Sequence, residues 1–313
     1  LSSEEANYPL MNRAIAGQYP SGSTIKALTT FAGLKYGICD GNSSWYCTGF
    51  WTGFGEQYGM HCWLLSGHGT INLITGITNS CDIVFYEIGK GFFYNNDHPE
   101  GMQETFRAFG LGALSGIDLP EEASGRVPDA EWKWNYFTSS PDDARKWQGG
   151  DNCNLAIGQG DLLVTCLQMA NAYCGIANRG PIYKPHVLKS INARNGNGSV
   201  IEYKNEVILT PEEKDEHRDI VARGLYGVVY EESASQTIHW TNLDVTVNGK
   251  TGTAEQQSIG EPVGWFVGYA PADKPQYVVA ANLDCAPSGA GSGMYIVRDV
   301  FGAIYNQPDN VGR

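Results

Sequence analysis

Apolar positions first fall into a clear rhythm between Ser23 and Tyr36. Ile25, Leu28, Phe31, Ala32 and Leu34 share one face at helical spacing. Pro20, Ser21 and Gly22 break the chain before them, and Gly37 stands where a helix end favours glycine. The pattern predicts a buried helix whose first turn carries Ser23, Thr24 and Lys26. From Cys39 to Gly69 the rhythm fades into a Gly-, Trp- and Cys-rich stretch that reads as irregular. Asn72 to Gly89 predicts two helices with a turn near Asn79 and Ser80. Phe92 to Ile117 reads as helix plus turns, and Leu119 to Gly150, with Pro120, Pro128 and Pro141, as loop. Leu162 to Asn178 is helical again and ends at Gly180.

The second part shifts towards strands. His186–Ile191 and Ser199–Tyr203 flank Arg194-Asn195-Gly196-Asn197-Gly198, a strong hairpin signal. Pro211 to Tyr230 predicts a helix with Thr210 as its N-cap. Val245–Ala254, Gly264–Tyr269 and Tyr277–Leu283 read as strands, and Ser292–Tyr305 as a closing helix. Helices followed by meander-connected strands predict an α+β domain with an antiparallel sheet.

Charge narrows the range of partners. The 313 residues carry a net charge of −13, which argues against nucleic acid or an anionic membrane surface as the main partner. With 42% hydrophobic residues the chain can bury a core, and no run of about 18 apolar residues is present to span a bilayer. The start, Leu1-Ser2-Ser3-Glu4-Glu5, lacks Met and a basic segment, so the expectation is a piece of a longer chain.

Three short patterns could carry chemistry. Ser23-Thr24-Ile25-Lys26 places a hydroxyl and an amine on one helix face, where a dry Lys can activate the hydroxyl and the helix N-terminus can receive an oxyanion. Many helices hold Ser and Lys at this spacing by chance. Lys250-Thr251-Gly252-Thr253, on a strand, could grip a carboxylate while Gly252 admits a close backbone; a solvated edge strand would look the same. Ser80-Cys81-Asp82 sits between two predicted helices, where capping the second is the plainer role. Taken together and in this order, the three match the S-x-x-K, S-D-N and K-T-G signature of penicillin-binding proteins and class A β-lactamases.

The chain resembles a penicillin-binding transpeptidase domain from about Asn12 to its end. Segments 12–26, 157–170 and 265–271 carry the likeness beside the three patterns. It is most similar to the class B, elongation-type branch, penicillin-binding protein 2, through Asp82 in place of the commoner Asn and through the segments 128–133 and 147–151. The resemblance implies an antiparallel sheet of about five strands sandwiched by helices in a single transpeptidase domain, the penicillin-binding and serine β-lactamase fold. A mostly helical subdomain would span about 38–180, and a sheet-containing lobe 1–37 and 181–313. It also implies an N-terminal membrane anchor and pedestal in the parent protein, at the extracytoplasmic face of the bacterial cytoplasmic membrane.

The implied activity is D,D-transpeptidation of peptidoglycan stem peptides, with covalent inhibition by β-lactams. Ser23 would be the nucleophile and Lys26 its base. Ser80 would return a proton to the leaving amine, and Asp82 would orient the substrate or the Lys. Lys250 and Thr251 would hold the substrate carboxylate with help from Thr253. The backbone amides of Ser23 and Thr253 would form the oxyanion hole. A SEDS-type glycan polymerase is the implied membrane partner of the full-length protein. Glu131 and Asn135 stand four apart as in class A β-lactamases, but the surrounding residues do not match. A D,D-carboxypeptidase or a β-lactam-sensing domain of the same fold remain alternatives.

Eight cysteines are too few for a disulfide scaffold. Cys47, Cys62, His68 and Cys81 are spaced C-x14-C-x5-H-x12-C and form a legitimate tetrahedral zinc set. A Cys47–Cys62 disulfide, or four free thiols including Cys39, would use the same residues. The resemblance favours zinc, since some penicillin-binding protein 2 enzymes hold zinc beside the second motif, where it would pin Ser80 and Asp82 without touching substrate. Cys39 could replace one ligand; Cys153, Cys166, Cys174 and Cys285 read as buried apolar thiols.

Overall fold

The computed structural model describes residues 8–194, 198–231, 240–255, 262–284, 286 and 290–305. Its helices are α1 (Arg13–Ala16), α2 (Lys26–Lys35), α3 (Leu73–Thr78), α4 (Asp82–Phe93), α5 (Gly101–Ala108), α6 (Ala130–Tyr136), α7 (Asp142–Arg145), α8 (Gly149–Ala156), α9 (Cys166–Ala177), α10 (Asp215–Tyr230) and α11 (Ala290–Ile304). Its strands are β1 (Ser44–Cys47), β2 (Phe50–Trp51), β3 (Met60–His61), β4 (Gly69–Asn72), β5 (Ile182–Tyr183), β6 (Ser190–Asn192), β7 (Ser199–Glu202), β8 (Val207–Leu209), β9 (Asn248–Ala254), β10 (Val263–Ala270) and β11 (Tyr277–Leu283).

A sheet ordered β11-β10-β9, antiparallel throughout, forms the centre. Every residue of β10 is buried, as a strand covered on both faces requires. Its side chains alternate between two apolar clusters. Trp265, Val267 and Tyr269 join the larger one with Ile25, Leu28, Met169 and Tyr173 from the α2 and α9 side. Phe266 and Ala270 join the other with Val229, Trp240, Val297 and Phe301, which seats α11 on the opposite face. Helices thus sandwich the sheet, as an α+β domain of this class should.

The described central sheet has three strands, not about five. The 190–202 hairpin forms as expected, with its turn residues 195–197 outside the described residues, but β6 and β7 pair only with each other. Ile191, Val200 and Ile201 are exposed there, so no apolar face draws the hairpin onto the core. β5 and β8 form a second ribbon of their own.

Five local expectations also shift. The first long helix opens with a 3₁₀ turn over Gly22–Ile25, and α2 begins at Lys26. α10 starts at Asp215, so Thr210 caps nothing. The helix expected from Leu162 starts at Cys166, where Thr165 and Gln168 make a reciprocal capping box. The 119–150 stretch contains α6, α7 and the start of α8; Pro128 precedes the Asp129 N-cap of α6, and Pro141 caps α7. Pro128 and Pro141 stand just before helix starts, while 119–129 is non-helical as expected. The Cys-rich stretch holds two antiparallel ribbons, β1–β4 and β2–β3, whose strands of two to four residues are too short to print a periodicity.

Candidate active site

The Ser23 turn is held from several directions. The amide of Gly22 donates to the Gly158 carbonyl at 2.9 Å. Trp265 Nε1 on β10 donates to the Pro20 carbonyl at 2.9 Å, and the Tyr173 hydroxyl on α9 to the Thr24 carbonyl at 2.9 Å. Gly22 has φ +51°, and a Cβ there would lie 2.6 Å from the Thr253 carbonyl oxygen. A Cβ on Gly252 would meet the Ser21 carbonyl at 2.9 Å. Two glycines therefore let the Ser23 turn lie directly against β9, the strand of Lys250, Thr251, Gly252 and Thr253.

Lys26 follows one turn on and is fully buried. Its Nζ donates to the Ser80 carbonyl at 2.8 Å, to Ser80 Oγ at 3.2 Å and to Asp82 Oδ1 at 2.7 Å. Those three bonds match the three protons of an ammonium. The ring of Phe85 lies 5.2 Å below the charge. Asp82 opens α4, where the helix N-terminus favours a carboxylate. Among the described residues no hydrogen bond joins the half-buried Ser23 hydroxyl to Lys26.

Ser80 has φ +51°, the left-handed region, which costs a non-glycine residue roughly 1–2 kcal/mol. Its amide donates to the Ile77 carbonyl at 3.1 Å, and the next amide, Cys81, to Gly76 at 3.0 Å. This conformation turns both oxygens of Ser80 onto Lys26. On β9, Lys250 is fully buried and its Nζ donates to the Thr251 carbonyl at 3.2 Å and Thr251 Oγ1 at 3.3 Å. Gly252 is buried and Thr253 exposed.

The donor atoms of Cys47, Cys62, His68 and Cys81 all lie within 4.8 Å of one another. His68 Nδ1 stands 3.4 Å from Cys47 Sγ and 3.7 Å from Cys62 Sγ. A tetrahedral zinc with ~2.3 Å bonds to sulfur spaces its ligands by about 3.8 Å, so the set needs little contraction to hold one. A sulfur–sulfur hydrogen bond lowers the pKa of Cys62 and raises that of Cys81. All three cysteines are free thiols, without the alternative Cys47–Cys62 disulfide. Cys39 lies apart in the core, its sulfur against Gly33 and its thiol pushed up to about 12 by burial. Cys153 is buried, Cys166 and Cys174 are half-buried, and Cys285 lies outside the described residues. Glu131 and Asn135 are exposed on α6.

The site thus joins Lys26 to Ser80 and Asp82 by direct bonds and the Ser23 turn to the 250–253 strand by backbone contact. A match to the penicillin binding protein transpeptidase domain covers residues 2–305. The chain belongs to the penicillin-binding protein transpeptidase family, in its penicillin-binding protein 2 branch. It is 31% identical to the peptidoglycan D,D-transpeptidase MrdA of Acinetobacter baumannii, over 95% of this chain and 44% of that protein. The chain therefore spans less than half the length of that curated relative. The crystal structure of Pseudomonas aeruginosa PBP2 in complex with WCK 5153 superposes with a TM-score of 0.80 at 27% identity, over 96% of this chain and 64% of that one. A chain of a peptidoglycan synthase complex that coordinates polymerization and crosslinking gives 0.77 at 27% identity, over 97% and 50%.

Sequence reasoning on this penicillin-binding domain missed three residues of the site. Trp265 and Tyr173 anchor the Ser23 turn, and Trp63 bonds to both flanks of Ser80. Each reaches a backbone group or a side chain far along the chain, so no local spacing marks it.

Proposed function

We propose that this domain is a serine D,D-transpeptidase that cross-links peptidoglycan stem peptides through an acyl-enzyme on Ser23. The observation that carries the reading is a fully buried Lys26 bonded to Ser80 and Asp82, one turn from a Ser23 packed on the Lys250–Thr253 strand. In the first step Ser23 Oγ attacks the carbonyl of the penultimate D-Ala while its proton passes to Lys26 in its amine form. Lys26 reaches that form by passing one proton to the Asp82 carboxylate, which lies 2.7 Å away and keeps it through the cycle. The amides of Ser23 and Thr253 receive the developing oxyanion. The C–N bond breaks, and Ser80 Oγ delivers a proton to the departing D-Ala amine. An amine of a second stem peptide then attacks the ester, gives up a proton along the same path and frees Ser23. Lys250, Thr251 and Thr253 hold the terminal carboxylate of the donor, which departs with the released D-Ala. A β-lactam takes the same first step but keeps its amine tethered, so Ser23 remains acylated.

The donor set of Cys47, Cys62, His68 and Cys81 would hold a zinc ion. Bound there, zinc supplies a structural cross-link between the 47–68 ribbons and the Ser80 motif. Cys81, between Ser80 and Asp82, is the covalent link from that cross-link to the site. In the full-length protein the partners would be stem peptides, β-lactams and a SEDS-type glycan polymerase, at the extracytoplasmic face of the membrane. The relative taken from a peptidoglycan synthase complex supports that assignment. No helix among the described residues is long and apolar enough to cross a membrane.

The test is incubation of the domain with a fluorescent penicillin, then with a stem-peptide donor and acceptor. The expected result is one adduct on Ser23, its loss in Ser23→Ala, and a cross-linked peptide product. Hydrolysis of the donor without cross-linking would make the domain a carboxypeptidase. An adduct with neither product would make it a sensor. Fast turnover of a chromogenic cephalosporin would make it a β-lactamase.

A further inference from the structure

Trp63 lies in the loop that follows β3. More than half of it is exposed, so core burial does not account for the ring. Its indole Nε1–H donates to the Asn79 carbonyl at 2.9 Å, and its backbone N–H donates to Asp82 Oδ2 at 2.9 Å. The ring stands edge-on to His68, 5.5 Å between centroids. One residue therefore holds the Ser80 motif from both ends.

The left-handed φ of Ser80 depends on the two peptide units that flank it. The Cys81 amide bonds to Gly76, and the Ser80 carbonyl accepts from Lys26. On the other side the Ser80 amide bonds to Ile77, and the Asn79 carbonyl accepts from the Trp63 indole. Three of these four bonds come from the motif's own helix turn or from Lys26. The fourth comes from a loop residue well away in sequence. Releasing it leaves the Asn79–Ser80 peptide held by its amide bond to Ile77 alone, so that Ser80 can relax towards the more stable right-handed conformation. That rotation would carry Ser80 Oγ and the Ser80 carbonyl off Lys26.

We propose that Trp63 is a positioning residue for the reaction: its indole N–H clamps the Asn79–Ser80 peptide and so keeps Ser80 strained and bonded to Lys26. The inference rests on the acyl-transfer reading above. Trp63 acts through Ser80, on the acylation step, and not through contact with the stem peptide.

The experiment is stopped-flow acylation by a fluorescent penicillin, resolved into a noncovalent binding constant and an acylation rate constant. Trp63→Phe keeps an aromatic ring beside His68 and removes the donor. Replacing the indole by benzothiophene, through an incorporated benzothienylalanine, keeps the shape and removes the N–H alone. Both changes should slow acylation about tenfold, equivalent to about 1.4 kcal/mol in the barrier. The binding constant and the melting temperature should stay at their wild-type values. An acylation rate within twofold of wild type in the benzothiophene protein overturns the proposal. So does a joint fall of rate, binding and melting temperature in both proteins, which would make Trp63 a structural residue. If the wild-type domain itself gives no Ser23 adduct, the transpeptidase reading fails first, and that outcome is distinct from equal labelling of wild type and variants.

Discussion

Lys26 takes three donors into a buried site, and among the described residues Asp82 is the carboxylate bonded to it. Removing one partner of a buried pair leaves the other charge uncompensated. Asp82→Ala should therefore cost about 3 kcal/mol of stability. It should also free the Trp63 amide, and urea unfolding of the two proteins measures the loss. Asp82→Asn keeps an acceptor for Lys26 and should lose distinctly less. Gly22→Ala tests the other half of the site. Its methyl would meet the Thr253 carbonyl at 2.6 Å on a backbone at φ +51°, so the Ser23 turn must lift from β9. Penicillin labelling should fall by roughly a hundredfold, as misplacement by an ångström does in oriented reactions, while circular dichroism stays native. The residues that meet in the candidate site were legible because Ser23 and Lys26 are set by one helical turn, and Ser80 and Asp82 by one tripeptide. Those that steady them were not. Trp265, Tyr173 and Trp63 bond to backbone carbonyls, and any residue at Pro20, Thr24 or Asn79 offers the same acceptor.

The element that carries Ser80 is a turn between α3 and α4, backed by the ribbons that bring Cys47, Cys62 and His68 to Cys81. Cys47 ends β1, Cys62 follows β3, His68 precedes β4 and Cys81 precedes α4, so a metal there would tie together the ends of short elements. With zinc stripped by a strong chelator, the melting temperature and the acylation rate should fall together, and both should return when zinc is added back. A domain that is purified without zinc, or loses neither property, would remove the metal from the account. A second element-scale test lies at the exposed hairpin. Asp118 accepts the amides of Val187 and Leu188 at 2.7 and 2.8 Å, and these bonds hold its carboxyl below its ordinary 3.8. A lowered carboxyl contributes above its unfolded pKa, and the contribution is lost as pH falls through the folded one. Asp118→Asn should speed amide exchange at Val187 and Leu188 at neutral pH, and the difference should close well below pH 3.8. Elements were legible where length gave a period to read: β11 fell on its expected bounds, and α3 and α4 flank the expected turn at Asn79. The ribbons β1–β4 and β2–β3 were not, because pairing over two to four residues comes from tertiary contact and not from pattern. The place of the exposed hairpin was not legible for a related reason. Alternation predicted that 190–202 would pair, and it does, but alternation does not say which sheet a hairpin joins.

At the scale of the whole molecule the Ser23 turn is a hub. The sheet reaches it through Trp265, α9 through Tyr173, and the end of α8 through the Gly158 carbonyl. Thr29 of α2 ties the next turn to the Ala156 carbonyl at 2.9 Å. The larger apolar cluster packs around the same place, from Tyr19 and Ile25 to Trp265 and Tyr269. A hydroxyl set here shares the stability of the core and has little freedom to wander. Two substitutions measure how far that sharing goes. Tyr173→Phe leaves the buried Thr24 carbonyl without this donor, and Trp265→Phe does the same to Pro20. Each should cost roughly 1–3 kcal/mol of stability, the penalty for an orphaned buried acceptor. If the two anchors act on one rigid turn, the double variant should lose less than the sum of the singles, by about 0.5 kcal/mol or more, since a turn already released has less to lose. Acylation should follow the same rule, with one anchor removed doing most of the damage. Strict additivity in both quantities would mean that the anchors serve separate parts of the core, and that the position of Ser23 is fixed by its contact with β9 alone.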